Sequence, residues 1–442
     1  MKLKLLKKQK LLVGLTVKDI TPDFSTVLHG YRPRNSNGVH DRLNASCVVF
    51  ATADCKVAII SISVVLIDTE CTALIRKGAE EATGIPEKNI LVHATHTHSA
   101  PLITGTYKDI LVKSCIECVI AADADCSPGY VGFGSTTVAE CGKNRRYLDY
   151  GGMPVDPEIG IVVITDENKR VKAVIYNYAC HCTVLGVDNR LMTKDWPHFA
   201  DCAIKTAVGK DVVTVFIQGA SGDINPGYSA GLSAVSAKIP TRTWAEAERI
   251  GGNVGRAVLS ALKSIKMDAK VVLKSHTGYV DFPTRTSYPV SLQKARGAYA
   301  AAERKVKAMR KNSQKISIRK LERTEMELFF ASLILEGAKN FYGRKWPATV
   351  KAELQAIRIN DNAIASFPVE AFHEIGVAVK KGSPAKITLI AELSNTLEAE
   401  GYMPTPESYQ EGDYEVFDTY YDENAAPVMV KASIENIRQV FR

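Results

Sequence analysis

Apolar residues along the chain fall into two rhythms. Short runs rich in Val, Ile and Leu, bounded by turn residues, predict strands near 12–17, 46–52, 56–66, 89–94, 160–165, 170–179 and 212–218. Similar runs follow near 270–281, 351–359, 362–367 and 387–393. Apolar residues three and four apart predict helices near 69–83, 108–124, 196–208, 242–265, 291–312, 318–339 and 370–380. The two rhythms interleave from one end to the other without an internal repeat. That favours an α/β chain, a mixed β-sheet core covered by helices, over an all-β sandwich. "ATADCK" and "TDENKR" read as hairpin turns, so part of the sheet is antiparallel. The stretch 291–339 reads as a polar helical hairpin inserted between two groups of strands.

Composition narrows the class. A chain of 442 residues with 46% hydrophobic and 24% charged residues has the core of a soluble globular protein, in one large or two moderate domains. It contains no apolar run long enough for a transmembrane helix. The opening "MKLKLLKKQKLLVGLTVKDITP" is basic, but its apolar stretch is short, broken by Gly14, and lacks a small-residue cleavage site. It reads as a basic tail over 1–11 leading into the first strand, and with no export signal the expected location is cytoplasmic. The ten cysteines fit free thiols in a reducing compartment, several of them inside apolar runs. Cys115 and Cys118 form a lone CxxC, which without a second pair does not predict structural zinc.

Charge is local rather than global. The net charge is +8, yet residues 294–323 alone carry +9 and the first ten residues +5, which leaves −6 for the remainder. A general case for nucleic-acid binding is therefore absent. The basic run reads as a solvated helical face, with weak contact to an anionic surface as its other reading. Nothing in the sequence fixes the oligomeric state; the expected partner is a small-molecule substrate.

Candidate chemistry concentrates in "LVHATHTHSAP". His93, His96 and His98 are three of only nine histidines in the chain. In an extended segment His96 and His98 point to one side and His93 to the other, placing a metal ligand beside a proton carrier. His181, in "IYNYACHCTVLG", has Cys180 and Cys182 facing away from it, so a Cys-His-Cys set is geometrically poor. Alone, His181 also fits a hydrogen-bonded core histidine. Glu370, in "IASFPVEAFHEIG", follows a strand and Pro368, where a carboxylate can project. "VFIQGASGDINP" raises a serine nucleophile, Ser221, but the elbow needs glycine on both sides and has Asp223 in one place.

In order along the chain, "VGLTVKDITP", "HATHTHSAP", "KNRRY", "NYACHCTVLG", "DWP", "GASGDINP", "FPVEAF" and "ELSN…GYMPTPESYQEGDYE" resemble the neutral/alkaline (non-lysosomal) ceramidase family, from about residue 12 to about 420. The resemblance is to the N-terminal catalytic domain of zinc-dependent amide hydrolases with a mixed α/β fold. It implies zinc ligands His96, His181, Glu370 and Tyr402, a proton-transfer role for His98, and Arg145 at the substrate carbonyl, with Arg146 adjacent to it. Tyr414, twelve residues after Tyr402, matches the second family tyrosine. Two imidazoles and a carboxylate are a usual protein set for catalytic Zn²⁺.

Three departures separate this chain from the family pattern. Asn225 replaces the serine of the "GDxSP" box, Ala100 replaces a glycine beside His98, and the expected organisation lacks the family's C-terminal immunoglobulin-like domain. The expected organisation is the tail 1–11 and one ceramidase-like zinc hydrolase domain over 12–442, with the helical insertion at about 291–339. The expected activity is hydrolysis of a carboxamide, or of an ester or lactone, by metal-activated water. The competing readings are a non-catalytic binding protein on the same fold and a serine hydrolase using Ser221. The basic insertion and the extra methyl of Ala100 lead to the expectation of a small, polar or anionic substrate rather than long-chain ceramide.

Overall fold

Alternation along the strands decides the architecture. In Asn44–Ala51, Ala45, Cys47 and Val49 face one way and Val48 and Phe50 the other, and both sets are buried. Lys56–Ile62 repeats the pattern with Ala58, Ile60 and Ile62 against Val57 and Ile59. A strand that is apolar on both faces must lie between two layers.

A computed structural model describes residues 7–231, 239–311, 318–396 and 401–442. Its longer strands are β1 (Leu12–Asp19), β2 (Asn44–Ala51), β3 (Lys56–Ile62), β4 (Ile90–Ala94), β5 (Ser127–Thr137), β6 (Glu158–Asp166), β7 (Val171–Tyr178), β8 (Val213–Gln218), β9 (Leu273–Pro283), β10 (Thr349–Ile359), β11 (Asn362–Ser366) and β12 (Thr388–Ala391). The longer helices are α1 (Thr69–Thr83), α2 (Gly105–Ala124), α3 (Trp196–Val208), α4 (Trp244–Leu262), α5 (Leu292–Lys311), α6 (Ile318–Tyr342), α7 (His373–Gly382) and α8 (Ala425–Phe441).

One sheet of eight strands runs in the order β8-β7-β6-β5-β1-β2-β3-β4, antiparallel except for the outer pairs β7/β8 and β3/β4. A second sheet runs β9-β10-β11-β12, with only β11/β12 parallel. The sheets meet face to face through Phe50, Ile59, Ile175 and Ile217 on one side and Ile357, Ile364 and Leu389 on the other. Helices cover both outer faces. Ile75, Leu111 and Cys115 of α1 and α2 pack on Cys47, Val49 and Ile60. Ile204 and Val254 of α3 and α4 pack on Ile161, Val174 and Tyr176. Val379 and Met429 of α7 and α8 pack on Ala356, Ala363 and Ile390.

The α/β class and helix-covered mixed sheet stand, and the core is two sheets rather than one. Two elements escape the periodicity. β5, "SPGYVGFGSTT", reads as loop because of its glycines, yet it pairs with β6 from Gly129 to Thr137 and with β1 through Ser127 and Pro128. Gly132 is required there, because a Cβ would lie 2.5 Å from the Lys266 carbonyl oxygen. α8 is the other. Both hairpin turns are present, joining β2 to β3 and β6 to β7. The ten cysteines are unpaired, and Cys115 and Cys118 are core residues. Among the described residues no helix is long and apolar enough to cross a membrane. Residues 1–6 of the expected tail lie outside the described residues, while Gln9–Lys10 pairs with Lys270–Val271. The inserted hairpin closes on Tyr288, Ala295, Leu335 and Phe341, and its basic run is partly paired, Lys305 with Glu327 and Arg310 with Glu325.

Candidate active site

The strand carrying the three histidines ends at Ala94, so alternation does not continue through them. His93 stays inside the sheet. Its Nε2 accepts from Gln218 N–H (3.0 Å), so its Nδ1–H donates to the Glu392 carbonyl (2.7 Å), and it acts as a core histidine. His96 has φ +66°, a left-handed turn that reverses the chain. That turn, rather than an extended backbone, brings His96 and His98 to the same side with Nε2 atoms 3.2 Å apart.

His181 lies just past β7, where Cys180 and Cys182 turn into the core while the imidazole points out of it. Neither sulfur approaches the site. Glu370 belongs to a two-residue bridge that pairs in parallel with Tyr402–Met403, and the helix expected from 370 begins at His373. Backbone register therefore sets Glu370 directly beside Tyr402.

Hydrogen bonding fixes the tautomers. His96 Nδ1 lies 2.8 Å from the Val65 carbonyl and His181 Nδ1 3.0 Å from the Ile224 carbonyl. A carbonyl only accepts, so both protons sit on Nδ1 and both Nε2 lone pairs face inward. Glu370 Oε2 stands 3.3 Å from His96 Nε2 and 3.1 Å from His181 Nε2. Burial, then the Arg145 charge, pulls His181 down to about 4, which leaves it neutral near pH 7. Two lone pairs and a carboxylate oxygen thus converge at contact distance, an arrangement that calls for a cation between them. The N, N, O donor set suits zinc. The backbone acceptors behind both imidazoles orient them as outer partners of metal-bound histidines do.

The remaining predicted residues surround this point. Burial, then His96 and His181, holds His98 well below its ordinary value, which keeps the ring neutral near pH 7, with its Nε2 facing His96 Nε2. Pairing of Lys143–Asn144 with Ile224–Asn225 sets Arg145, whose guanidinium lies 5.3 Å from the Tyr402 ring centroid. Arg145 also binds Glu415 (2.7 Å) and the Gly222 carbonyl (2.6 Å). Arg146 turns to Glu411 and the Phe372 ring, so Arg145 is the one at the site. The Tyr402 and Tyr414 rings are 5.7 Å apart, and the Tyr414 hydroxyl donates to Asp418 (3.2 Å). Burial, then the Glu370 charge, raises the Tyr402 phenol well above its ordinary range.

Three expectations need correction. Ser221 is fully buried, and its hydroxyl is held by Glu392 (2.9 Å) and by Gln218 Nε2 (2.7 Å). It stands behind His181, 3.3 Å from Nδ1, where no substrate carbonyl can reach it, and so it is not a nucleophile. Asn225 faces inward too: its amide bonds Gly227 N, Tyr228 N and Tyr228 O, which shapes the loop. The Ala100 methyl is buried in the cluster with Leu28 and Tyr107, not against substrate.

Sequence reasoning missed the segment His29–Tyr31. Gly30 has φ +93°, and a Cβ there would lie 2.4 Å from the His98 ring, so only glycine lets this loop close on His98. Tyr31 lies 4.9 Å from the His98 ring, centroid to centroid. Burial, then His96, lowers His29 to about 4. Burial, then Glu370, raises Asp418 to about 7. "HGY" follows no periodic pattern; its glycine was the only local signal. Helix α6 also joins the site. Phe330, Leu333 and Ile334 line a cavity of about 150 Å³ with Tyr288, Tyr414 and Asp418.

The molecule is thus a sandwich covered by helices, with a His-His-Glu cluster able to hold a metal ion at one end of its strands. Residues 11–301 match the family described as neutral/alkaline non-lysosomal ceramidase, N-terminal, and the chain belongs to that family. It is 25% identical over 262 residues to the neutral ceramidase of Mycobacterium tuberculosis, covering 50% of this chain and 41% of that protein. To the neutral ceramidase of Pseudomonas aeruginosa it is 22% identical over 290 residues, covering 57% and 43%. The matched regions thus span about two fifths of these relatives' own length. A solved ceramidase complexed with C2 superposes with TM-score 0.74 at 18% identity, covering 98% of this chain and 75% of that one. The crystal structure of the Pseudomonas aeruginosa neutral ceramidase gives TM-score 0.73 at 17% identity, covering 99% and 75%.

Proposed function

We propose that this chain is a zinc-dependent hydrolase that cleaves a carboxamide, or an ester or lactone, with water, and that residues 12–442 form one hydrolase domain carrying the helical hairpin. The observation that supports it is the convergence of His96 Nε2, His181 Nε2 and Glu370 Oε2, with both imidazoles aimed by backbone carbonyls. A zinc ion held there, with Tyr402 as fourth ligand, supplies carbonyl polarisation and an activated water. The chain's own groups do the rest. Neutral His98 takes the water proton at Nε2 and returns it to the leaving nitrogen or oxygen. Arg145 and Tyr414 donate to the carbonyl oxygen as negative charge develops on it. Glu415, fully buried, keeps Arg145 in place. The test is metal analysis: His96→Ala/His181→Ala should lower the zinc content by about one equivalent per chain, and an unchanged content would reject the reading. Zinc-dependent turnover that disappears in His98→Ala separates the enzyme from a binding protein on the same fold.

The substrate reading follows from the cavity beside Tyr414. At about 150 Å³ it has room for a group roughly the size of benzene, not a long alkyl chain. Asp418 on its wall favours a neutral or cationic group there over an anionic one. Short-acyl amides and lactones should therefore exceed long-chain ceramide in kcat/KM, and a tenfold advantage for long-chain ceramide would reject this reading.

A further inference from the structure

Outside the site just described, two other clusters among the described residues bring together groups able to bind a metal: His40–Asp41–His198 and Asp223–His373–Glu374. They differ in what already fills them. His373 Nδ1 lies 2.7 Å from Asp223 and 3.0 Å from Glu374. Against burial, those carboxylates raise it to about 10, so that cluster is closed by a proton and forms an ion triad. His40 and His198 share a single carboxylate, Asp41, at 2.9 and 3.6 Å from their Nδ1 atoms.

We propose that His40, Asp41 and His198 form a second site, for a divalent transition-metal ion of the zinc class. Nitrogen, nitrogen and oxygen from three residues leave the remaining positions to water, a pattern that zinc accepts. The three are held in advance. Asp41 is buried, and receives the Thr193 hydroxyl and the Lys194 N–H (2.9 Å). The His40 ring stacks on Trp244 with centroids 3.9 Å apart. His198 sits in the first turn of α3, whose start is fixed by the Asp195 cap. Behind it, Cys202 Sγ lies 3.6 Å from His198 Nε2, placed to accept that N–H once Nδ1 faces an ion. Lys194, the nearest cation, is already paired with Asp201. His40 is exposed and His198 half-buried, so an ion has a path from solvent. The ion would join the 38–41 loop to α3. Through Thr193, whose carbonyl accepts from Thr97 Oγ1 (2.7 Å), it would brace the turn that carries His96 and His98.

This proposal does not rest on zinc at His96 and His181, and its test is run without that site. In full-length His96→Ala/His181→Ala protein, zinc should still bind at about one equivalent per chain and raise the melting temperature. Adding His40→Ala/His198→Ala should abolish both effects. Because His40→Ala also removes the stack on Trp244, His198→Gln alone, checked by circular dichroism, is the milder variant and should weaken zinc binding at least tenfold. Zinc binding weaker than about 100 μM in the His96→Ala/His181→Ala protein overturns the proposal. So does binding that survives loss of His40 and His198.

Discussion

His96 and His181 reach the site from the ends of first-sheet strands, each imidazole aimed by a backbone carbonyl behind it, Val65 and Ile224. Glu370, Tyr402 and Tyr414 arrive from connections beyond the second sheet and have no such carbonyl guides. Glu370 and Tyr402 are placed by a two-residue ladder, and Tyr414 by a short turn capped by Asp413. The family match ends at residue 301, so it covers the first group and not the second. The two imidazoles are thus fixed side chain by side chain, while the acid and the phenols depend on backbone register. Damage to the first group should be local and chemical; damage to the second should spread through the geometry.

His98→Ala tests the first group most severely. Turnover should fall by about 10²–10⁴ while zinc content stays unchanged, because the role proposed for His98 is proton transfer and not metal ligation. Parallel metal analysis and steady-state kinetics check both halves of that statement. Tyr414→Phe removes one donor from the carbonyl oxygen and should cost about 10²–10³ in kcat, with little change in KM.

Gly401→Ala sharpens the contrast from the other side. Gly401 has φ +110°, and its carbonyl accepts from Glu370 N–H (3.2 Å). A side chain there strains the ladder by about 1–3 kcal/mol, and zinc affinity should drop roughly tenfold although no ligand has changed. Isothermal titration with zinc measures it; unchanged affinity would mean that register does not place Glu370.

The smallest effect on activity should come from His373→Gln, which acts on stability. His373 titrates near 10 when folded, above its ordinary value of 6.5. A raised folded pKa stabilises fully below 6.5 and the contribution is lost as pH rises through 10. The variant should therefore be less stable than wild type near pH 6 and indistinguishable from it above about pH 10.5, as urea midpoints would show.

Much of this was legible in the chain itself. β-branched runs and helical spacing placed most elements, and the density of histidines singled out the right turn. What stayed hidden depends on distant partners. β5 reads as loop because its glycines answer to Ile265 and Lys266, which cross over it. Gly30 matters only because His98 lies above it. Asn225 and Ala100 looked like changes next to substrate, since sequence adjacency carries no direction; both turn inward. His96 and His98 were paired correctly for an incorrect reason, because the strand stops at Ala94 and a left-handed residue does the work of alternation.

The short ladder between Glu370 and Tyr402 also governs when the site can exist. Arg145 and Glu415 are 270 positions apart, and Val92 is tied to Asn395 across 303. Contacts of such span close late in folding, after local helices and hairpins have formed. A chain still on the ribosome exposes His93, His96 and His98 long before Glu370 is synthesised. Until Glu370 and Tyr402 dock, two imidazoles alone are poor competitors for zinc, so under the proposed function loading would wait for the final stage of synthesis. Completion of the fold and acquisition of the proposed ion would then be one event.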